Sequence, residues 1–177
     1  SDYVCLLNPD TIVSNDAFGI LMNYLQSNEK IGIIGPKILN ANGSLQLSSK
    51  RSFPYLLSSI FKLLGFSKLF PNSRIYSKYN LTYLDENKIH RVDSVSGACM
   101  MFSTKIKDEV GLFDEIFFMY SEDIDYCYRT KKKGYQVIYN PKAKVMHFKG
   151  QSSRLAPYDM VNLFYSSMYI FFNKYKK

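Results

Sequence analysis

The sequence predicts an α/β domain built on a central, largely parallel or mixed sheet flanked by helices. Short apolar runs of strand length alternate with longer stretches whose apolar residues recur at helical spacing. The breaks between them carry Asn, Pro, Gly and Asp, the residues that turn a chain. Neither an internal repeat nor a linker interrupts this order, and 177 residues with 46% hydrophobic content suffice for one domain with a real core.

Tyr3–Leu7 is a continuous apolar run, the pattern of a strand buried on both faces. It stops at Asn8-Pro9-Asp10, where the proline removes a ladder donor and its polar neighbours favour a turn. Ser14 or Asn15 is expected to cap a helix through about Ser27, with Phe18, Leu21, Met22 and Leu25 on one face. Ile31–Gly35 follows as a second strand, ended by Pro36. Asn40–Ser44 reads as a hairpin turn into Leu45-Gln46-Leu47.

Residues 53–90 are the least patterned and read as an insertion over the core. Within them Leu56, Leu57, Ile60, Phe61, Leu63, Leu64 and Phe66 suit an amphipathic helix, with Lys62 and Lys68 nearby, before a Tyr-rich polar stretch from Pro71 to Asn87. Val92–Ser103 returns to core character, and the small residues Ser96-Gly97-Ala98 admit close backbone approach. Lys105–Val110 is a short helix closed by Gly111. Ser121 is the expected cap of a helix from Glu122 to Lys133, whose acidic start and basic end suit the helix dipole and which Gly134 closes. Asp125 and Arg129, spaced i,i+4 in it, read as a surface pair. Tyr135–Tyr139 and Ala143–His147 are two strands separated by Asn140-Pro141, and a last helix spans Asp159–Tyr175.

The 23 Lys and Arg against 15 acids, a net charge of +8, suggest an anionic partner. The tight basic clusters, Lys131-Lys132-Lys133 and the terminal Lys174, Lys176 and Lys177, match no nucleic-acid motif and suit solvated helix faces, so nucleic acid is not expected. The three cysteines, Cys5, Cys99 and Cys127, lack metal-type spacing and read as buried reduced thiols of a cytosolic protein. No signal peptide is visible, and no apolar run reaches the ~20 residues that span a bilayer. The 15 Tyr and 13 Phe serve equally as core or as flat platforms for sugar rings.

Chemistry is concentrated in Phe113–Arg129, where Asp114, Glu122, Asp123 and Asp125 sit among aromatics. Acids inside an apolar run are costly unless they bind metal, pair with cations or move protons. Asn8 and Asp10 lie just past a strand end, where α/β sheets place ligands, although a plain turn needs the same residues. His147 closes a strand and is either a ligand or a structural histidine, and His90 reads as surface.

The segment Phe113-Asp114-Glu115 through Ser121-Glu122-Asp123 to Arg129 resembles, almost residue for residue, a signature of the family 2 glycosyltransferases. Leu6-Leu7-Asn8-Pro9-Asp10 upstream and Val145-Met146-His147 downstream extend the likeness, which runs from about Tyr3 to Ser153 and more loosely to Lys177. The resemblance implies a GT-A-like mixed sheet, here lacking the N-terminal nucleotide-binding half. On this reading residues 1–153 form the catalytic and acceptor core, with the insertion at 53–90 and a helical tail at 154–177, and the fragment is expected not to transfer sugar alone.

The resemblance also implies roles. Asp10 and His147 would hold a divalent cation, Mn²⁺ or Mg²⁺. Asn8 stands where the family's Asp-x-Asp has an acid, and as a neutral amide it would contact the donor's ribose or sugar. Asp123 would be the general base of inverting transfer, with Glu122 the runner-up. Asp93 with Ser96, Gly97 and Ala98 would line the donor and acceptor site, and Arg51 would lie near phosphate. The implied partners are a nucleotide-sugar, with a rhamnosyltransferase-like preference, and a glycan or polyprenyl-diphosphate-linked acceptor of bacterial surface-polysaccharide synthesis. The implied place is the cytoplasm, peripheral at the inner face of the membrane, with residues 56–66 and the basic aromatic tail touching the bilayer. The alternative is a non-catalytic glycan-binding module that uses the aromatic surface without metal.

Overall fold

A computed structural model describes residues 2–148 and 157–175. The expected boundary between core and tail at 153/154, and Lys176 and Lys177 of the basic tail, lie outside the described residues.

The elements run β1 (Tyr3–Leu7), β2 (Thr11–Val13), α1 (Ala17–Gln26), β3 (Ile31–Leu39), β4 (Lys50–Arg51), α2 (Leu56–Leu63), α3 (Phe66–Leu69), β5 (His90–Val92), β6 (Ser94–Val95), β7 (Cys99–Ser103), α4 (Thr104–Val110), α5 (Glu122–Lys132), β8 (Gln136–His147) and α6 (Pro157–Tyr175). The main sheet is six-stranded in the order β1-β7-β3-β8-β2, with β5 also on β8. It is mixed: β3 and β8 run parallel, and its other pairs are antiparallel. A two-stranded sheet joins β4 to β6.

Period-two alternation divides the core between the two faces of the sheet. Ile34, Cys99, Met101, Ile138 and Val145 face α1, whose Ala17, Leu21 and Leu25 cover them. Ile33, Met100, Phe102, Val137 and Tyr139 face the other way, onto Ile124, Tyr126 and Cys127 of α5 and onto Phe53, Val95 and Phe171. Gly35 brings β3 close to β6, because a Cβ there would lie 2.7 Å from Val95 Cβ.

Several local expectations change. β3 does not stop at Pro36 but runs to Leu39, since β7 pairs with it only at Ile33 and Ile34 and Pro36 lies past the last β7 partner. β8 is one strand, not two. It absorbs Asn140-Pro141 in a register shift between the pairs Pro36–Asn140 and Lys37–Lys144. β1 is at the edge of the described sheet, so it is only partly buried, and Cys5 is exposed while Cys99 and Cys127 are buried.

α1 starts at Ala17 behind a left-handed Asp16, and Ser14 instead donates to Lys144 O. The turn at Asn40–Ser44 forms, with Gly43 at φ 80°. Leu45 then bridges Leu39, and Leu47–Ser49 is a 3₁₀ turn rather than strand. The expected helix over 56–66 is two helices, broken at Gly65 with φ 78°. α4 starts at Thr104, capped by the Ser103 hydroxyl. His90 belongs to β5, where it lies half-buried with its ring stacked on that of Tyr139.

Asp125 is not at the surface either. Its side chain is fully buried, accepting from Arg129 Nε at 2.7 Å, from Lys174 Nζ at 2.6 Å and from the Tyr175 hydroxyl. It thereby anchors α6 to α5, which explains structurally one of the carboxylates in the aromatic run.

Candidate active site

The loop from β1 to β2 is fixed at both ends. Asn8 N donates to Ala98 O at 3.0 Å, Phe148 N donates to Asp10 O at 2.9 Å, and Thr11 pairs with His147 in the β2–β8 ladder. The loop therefore sets Asp10 beside His147, with Oδ1 and Nε2 3.1 Å apart and both side chains 11% exposed. Asn8 Nδ2 lies 3.3 Å from the same ring nitrogen.

Asp10 Oδ1 is shielded from solvent yet accepts no hydrogen bond. A buried carboxylate oxygen with no donor, beside a ring nitrogen, suits a cation. Two ligands at right angles on an octahedral Mg²⁺, with bonds of ~2.1 Å, hold their donor atoms ~3 Å apart. The spacing and the O plus N donor set therefore fit Mn²⁺ or Mg²⁺. No group of three or more His, Cys, Asp or Glu suited to a metal occurs among the described residues, so further ligands would come from substrate oxygens or water.

Across the same cavity, of about 850 Å³, stands the head of α5. Tyr120 and Ser121 both adopt left-handed backbone, φ 66° and 64°, at a cost of about 1–2 kcal/mol per residue. Ser121 occupies the expected cap position but its hydroxyl caps nothing. The kink turns Glu122 and Asp123 toward the cavity, which both line.

The two acids differ in their partners. Asp123 Oδ2 accepts from Arg51 Nη2 at 2.6 Å and from Gly97 N at 2.9 Å, and Oδ1 accepts from Ile124 N at 2.7 Å. Arg51 is no exposed loop residue: it is 8% exposed and also donates to Val95 O. Burial opposes its charge, but Asp123 beside it holds its pKa above the ordinary arginine value. Glu122 Oε2, by contrast, is buried with no partner. Burial first, and the charge of Asp123 second, raise its carboxyl from 4.5 to about 7. A half-buried acid titrating near neutrality inside a cleft suits proton transfer.

Asn8, Asp10, Arg51, Ser96, Gly97, Ala98, Glu122, Asp123 and His147 all line this one cavity. Asp93 does not. It lines a separate cleft, where it is ion-paired with Lys131 and accepts from Phe53 N. Sequence reasoning missed Gln46, Lys62, Tyr79, Tyr120 and Phe164, which also line the cavity. Lys62 lies 4.2 Å from the Tyr79 ring centre and 4.5 Å from that of Phe164, so the insertion and α6 meet at the cavity wall. An isolated lysine in an apolar helix is the one signal that pointed there.

Residues 1–160 match the family described as Glycosyltransferase like family 2. The chain belongs to this glycosyltransferase family. This family 2 glycosyltransferase is 28% identical over 170 residues to the N-acetylglucosaminyl-diphospho-decaprenol L-rhamnosyltransferase of Mycobacterium tuberculosis, covering 96% of this chain and 54% of that protein. It is 30% identical over 155 residues to the rhamnosyltransferase WbbL of Escherichia coli K12, covering 86% of this chain and 54% of that one. A third relative, the low-salt glycan biosynthesis hexosyltransferase Agl10 of Haloferax volcanii, is 29% identical over 76% of this chain and 38% of its own length. The chain thus spans about half or less of the length of these relatives.

Among solved structures, GalNAc-T7 with UDP, GalNAc and Mn²⁺ superposes with a TM-score of 0.54 at 14% identity, over 83% of this chain and 27% of that one. This likeness speaks for the fold, and the expected GT-A-like mixed sheet flanked by helices is borne out.

Proposed function

We propose that this family 2 glycosyltransferase moves a hexose, of the rhamnose class, from a nucleotide-sugar to a lipid-diphosphate-linked glycan, inverting the anomeric centre. The observation that carries the reading is the opposition of two sites across one cavity, Asp10 with His147 on one wall and Glu122 with Asp123 on the other. Sugar class and acceptor rest on the names of the relatives, two rhamnosyltransferases, one of them named for an N-acetylglucosaminyl-diphospho-decaprenol acceptor.

Asp10 and His147 would hold Mn²⁺ or Mg²⁺, which when bound supplies positive charge against the departing nucleoside diphosphate. Asn8, its main chain tied down, would contact the donor's ribose or sugar. Glu122 would take the proton of the acceptor hydroxyl as its oxygen bonds to the anomeric carbon and the bond to the diphosphate breaks. The geometry favours Glu122 over Asp123 here, because the lone pairs of Asp123 already serve Arg51 and two backbone N–H groups. Asp123 would then position the head of α5 and keep Glu122 basic.

A lipid-linked acceptor would bring the work to a membrane, and a nucleotide-sugar donor to its cytoplasmic face. Two features support peripheral contact. Residues 53–84 contain no acid but carry Lys62, Lys68, Arg74 and Lys78. Leu57, Leu64, Leu69 and Ile75 in the same stretch are 60–71% exposed. No helix among the described residues is long and apolar enough to cross a bilayer.

The test uses the full reading frame that encodes this chain, a panel of nucleotide-sugars with and without Mn²⁺, and the variants Asp10→Ala, His147→Ala, Glu122→Gln and Asp123→Asn. Metal-dependent release of one nucleoside diphosphate, lost in the Asp10 and His147 variants, is expected. Folded protein that binds glycan without metal and never turns over would favour a binding module. Transfer surviving in Glu122→Gln but not in Asp123→Asn would return the base to Asp123.

A further inference from the structure

His147 is gripped from behind by a residue that no sequence motif singled out. Gln46 is 4% exposed, and its main chain is fixed by Gln46 N to Ile38 O at 2.8 Å and Ser49 N to Gln46 O at 3.0 Å. Its side-chain amide reaches His147 twice. Nε2 donates to the His147 backbone carbonyl at 2.8 Å, and Oε1 lies 3.1 Å from His147 Nδ1.

These two contacts fix each other chemically. A backbone carbonyl has no proton to give, so only the NH₂ end of the amide can face it. The oxygen end must then face Nδ1, and an amide oxygen can only accept, so Nδ1 must carry the proton. In a neutral imidazole this leaves the lone pair on Nε2, the nitrogen 3.1 Å from the unpartnered Asp10 Oδ1 and 3.3 Å from the Asn8 amide.

We infer that Gln46 is a positioning residue: it fixes the ring orientation and tautomer of His147 so that Nε2 presents a ready lone pair to a divalent cation beside Asp10. The inference rests on the metal reading proposed above and adds the group that prepares the histidine. A histidine ligand oriented through its second nitrogen is a general feature of protein metal sites, and losing the orienting group weakens metal binding by ~10–100-fold. Glutamine suits the place because one side chain offers both a donor to the carbonyl and an acceptor to the ring. Leucine offers neither, and glutamate keeps the acceptor.

The experiment uses the full reading frame and Mn²⁺ alone, read by the loss of free-Mn²⁺ EPR signal, beside ¹⁵N NMR of the His147 ring in metal-free protein at alkaline pH. Gln46→Leu is expected to weaken Mn²⁺ binding ~10–100-fold, and to shift the ring from the Nδ1-protonated tautomer to a mixture, with a lower denaturant midpoint because the buried His147 carbonyl loses its donor. Gln46→Glu, which keeps the acceptor at Nδ1 but loses the donor to the carbonyl, is expected to keep the Nδ1-protonated tautomer and to recover Mn²⁺ binding in part. Gln46→Met gives the same reading as Gln46→Leu if the leucine variant does not fold.

Unchanged Mn²⁺ affinity in folded Gln46→Leu, with tight binding by the wild type, overturns the inference. So does an Nε2-protonated ring in the wild type. Wild-type protein that binds Mn²⁺ no better than His147→Ala sinks the metal reading instead, and the tautomer measurement still tests the role of Gln46 separately.

Discussion

Arg51 and Asp123 meet in a buried ion pair, Nη2 to Oδ2 at 2.6 Å with each side chain 10% exposed, that ties the β4–β6 sheet to the head of α5. Burying two charges is costly, and the gain from pairing them offsets that cost only while both are present. Removing one alone, as in Arg51→Met or Asp123→Ala, should destabilise the fold by about 3–5 kcal/mol. Urea unfolding of both single variants and the double variant checks this. The double variant should be less damaged than the sum of the singles, and purely additive losses would mean the pair does not act as a unit.

Glu122 predicts a pH dependence of definite sign. Its folded pKa of about 7 lies above the ordinary 4.5. The stability it contributes is therefore intact below about pH 4.5 and lost as pH rises through about 7. Glu122→Gln removes that loss. The variant should match the wild type in acid and exceed it by up to ~3 kcal/mol in mild alkali, measured by denaturant midpoints across pH.

The same carboxyl predicts the rate profile. Transfer should rise with pH through about 7 as Glu122 loses its proton, and Glu122→Gln should abolish that limb together with activity. A profile flat from weak acid to neutrality would exclude Glu122 as the base.

Metal removal should silence the proposed reaction. Chelation, Asp10→Ala or His147→Ala should each lower turnover by ~100-fold or more, since the cation is asked for several kcal/mol of charge stabilisation. Circular dichroism should stay unchanged in the Asp10 variant, whose Oδ1 satisfies no donor in the fold. Full activity in chelator would end the metal-dependent reading.

Replacing Leu57 and Leu64 by Glu should release the protein from anionic vesicles without altering its stability, because both side chains are about 60% exposed. Sedimentation with phosphatidylglycerol vesicles measures it. Equal sedimentation of variant and wild type would assign the exposed leucines another purpose.

The sequence revealed the acids of the site better than their partners. Glu122 and Asp123 announce themselves as carboxylates in an apolar run, and the strand-end position of Asp10 follows from Pro9. Gln46 does not, and Arg51 does so only through the resemblance, because what matters about them is burial against residues far along the chain, as in the 101-residue separation of Gln46 from His147. The resemblance expects Asp93 to line the donor and acceptor site beside Ser96, Gly97 and Ala98, yet its side of the β5–β6 corner faces Lys131. The prolines misled for a related reason. Whether Pro36 ends a strand depends on which neighbours it has, and at that point β7 has already departed.

The β2–β8 ladder bears on the order in which the protein comes into being. Asn8 and His147 stand 139 residues apart in the chain, and contacts between such distant partners carry a large closure entropy and form late. During synthesis the β1–β2 loop emerges long before the histidine proposed to complete a cation site with Asp10. Partly made molecules would therefore lack the proposed pair of ligands altogether. If the proposed cation site grips the donor, competence to bind it arises only once β8 has docked beside β2.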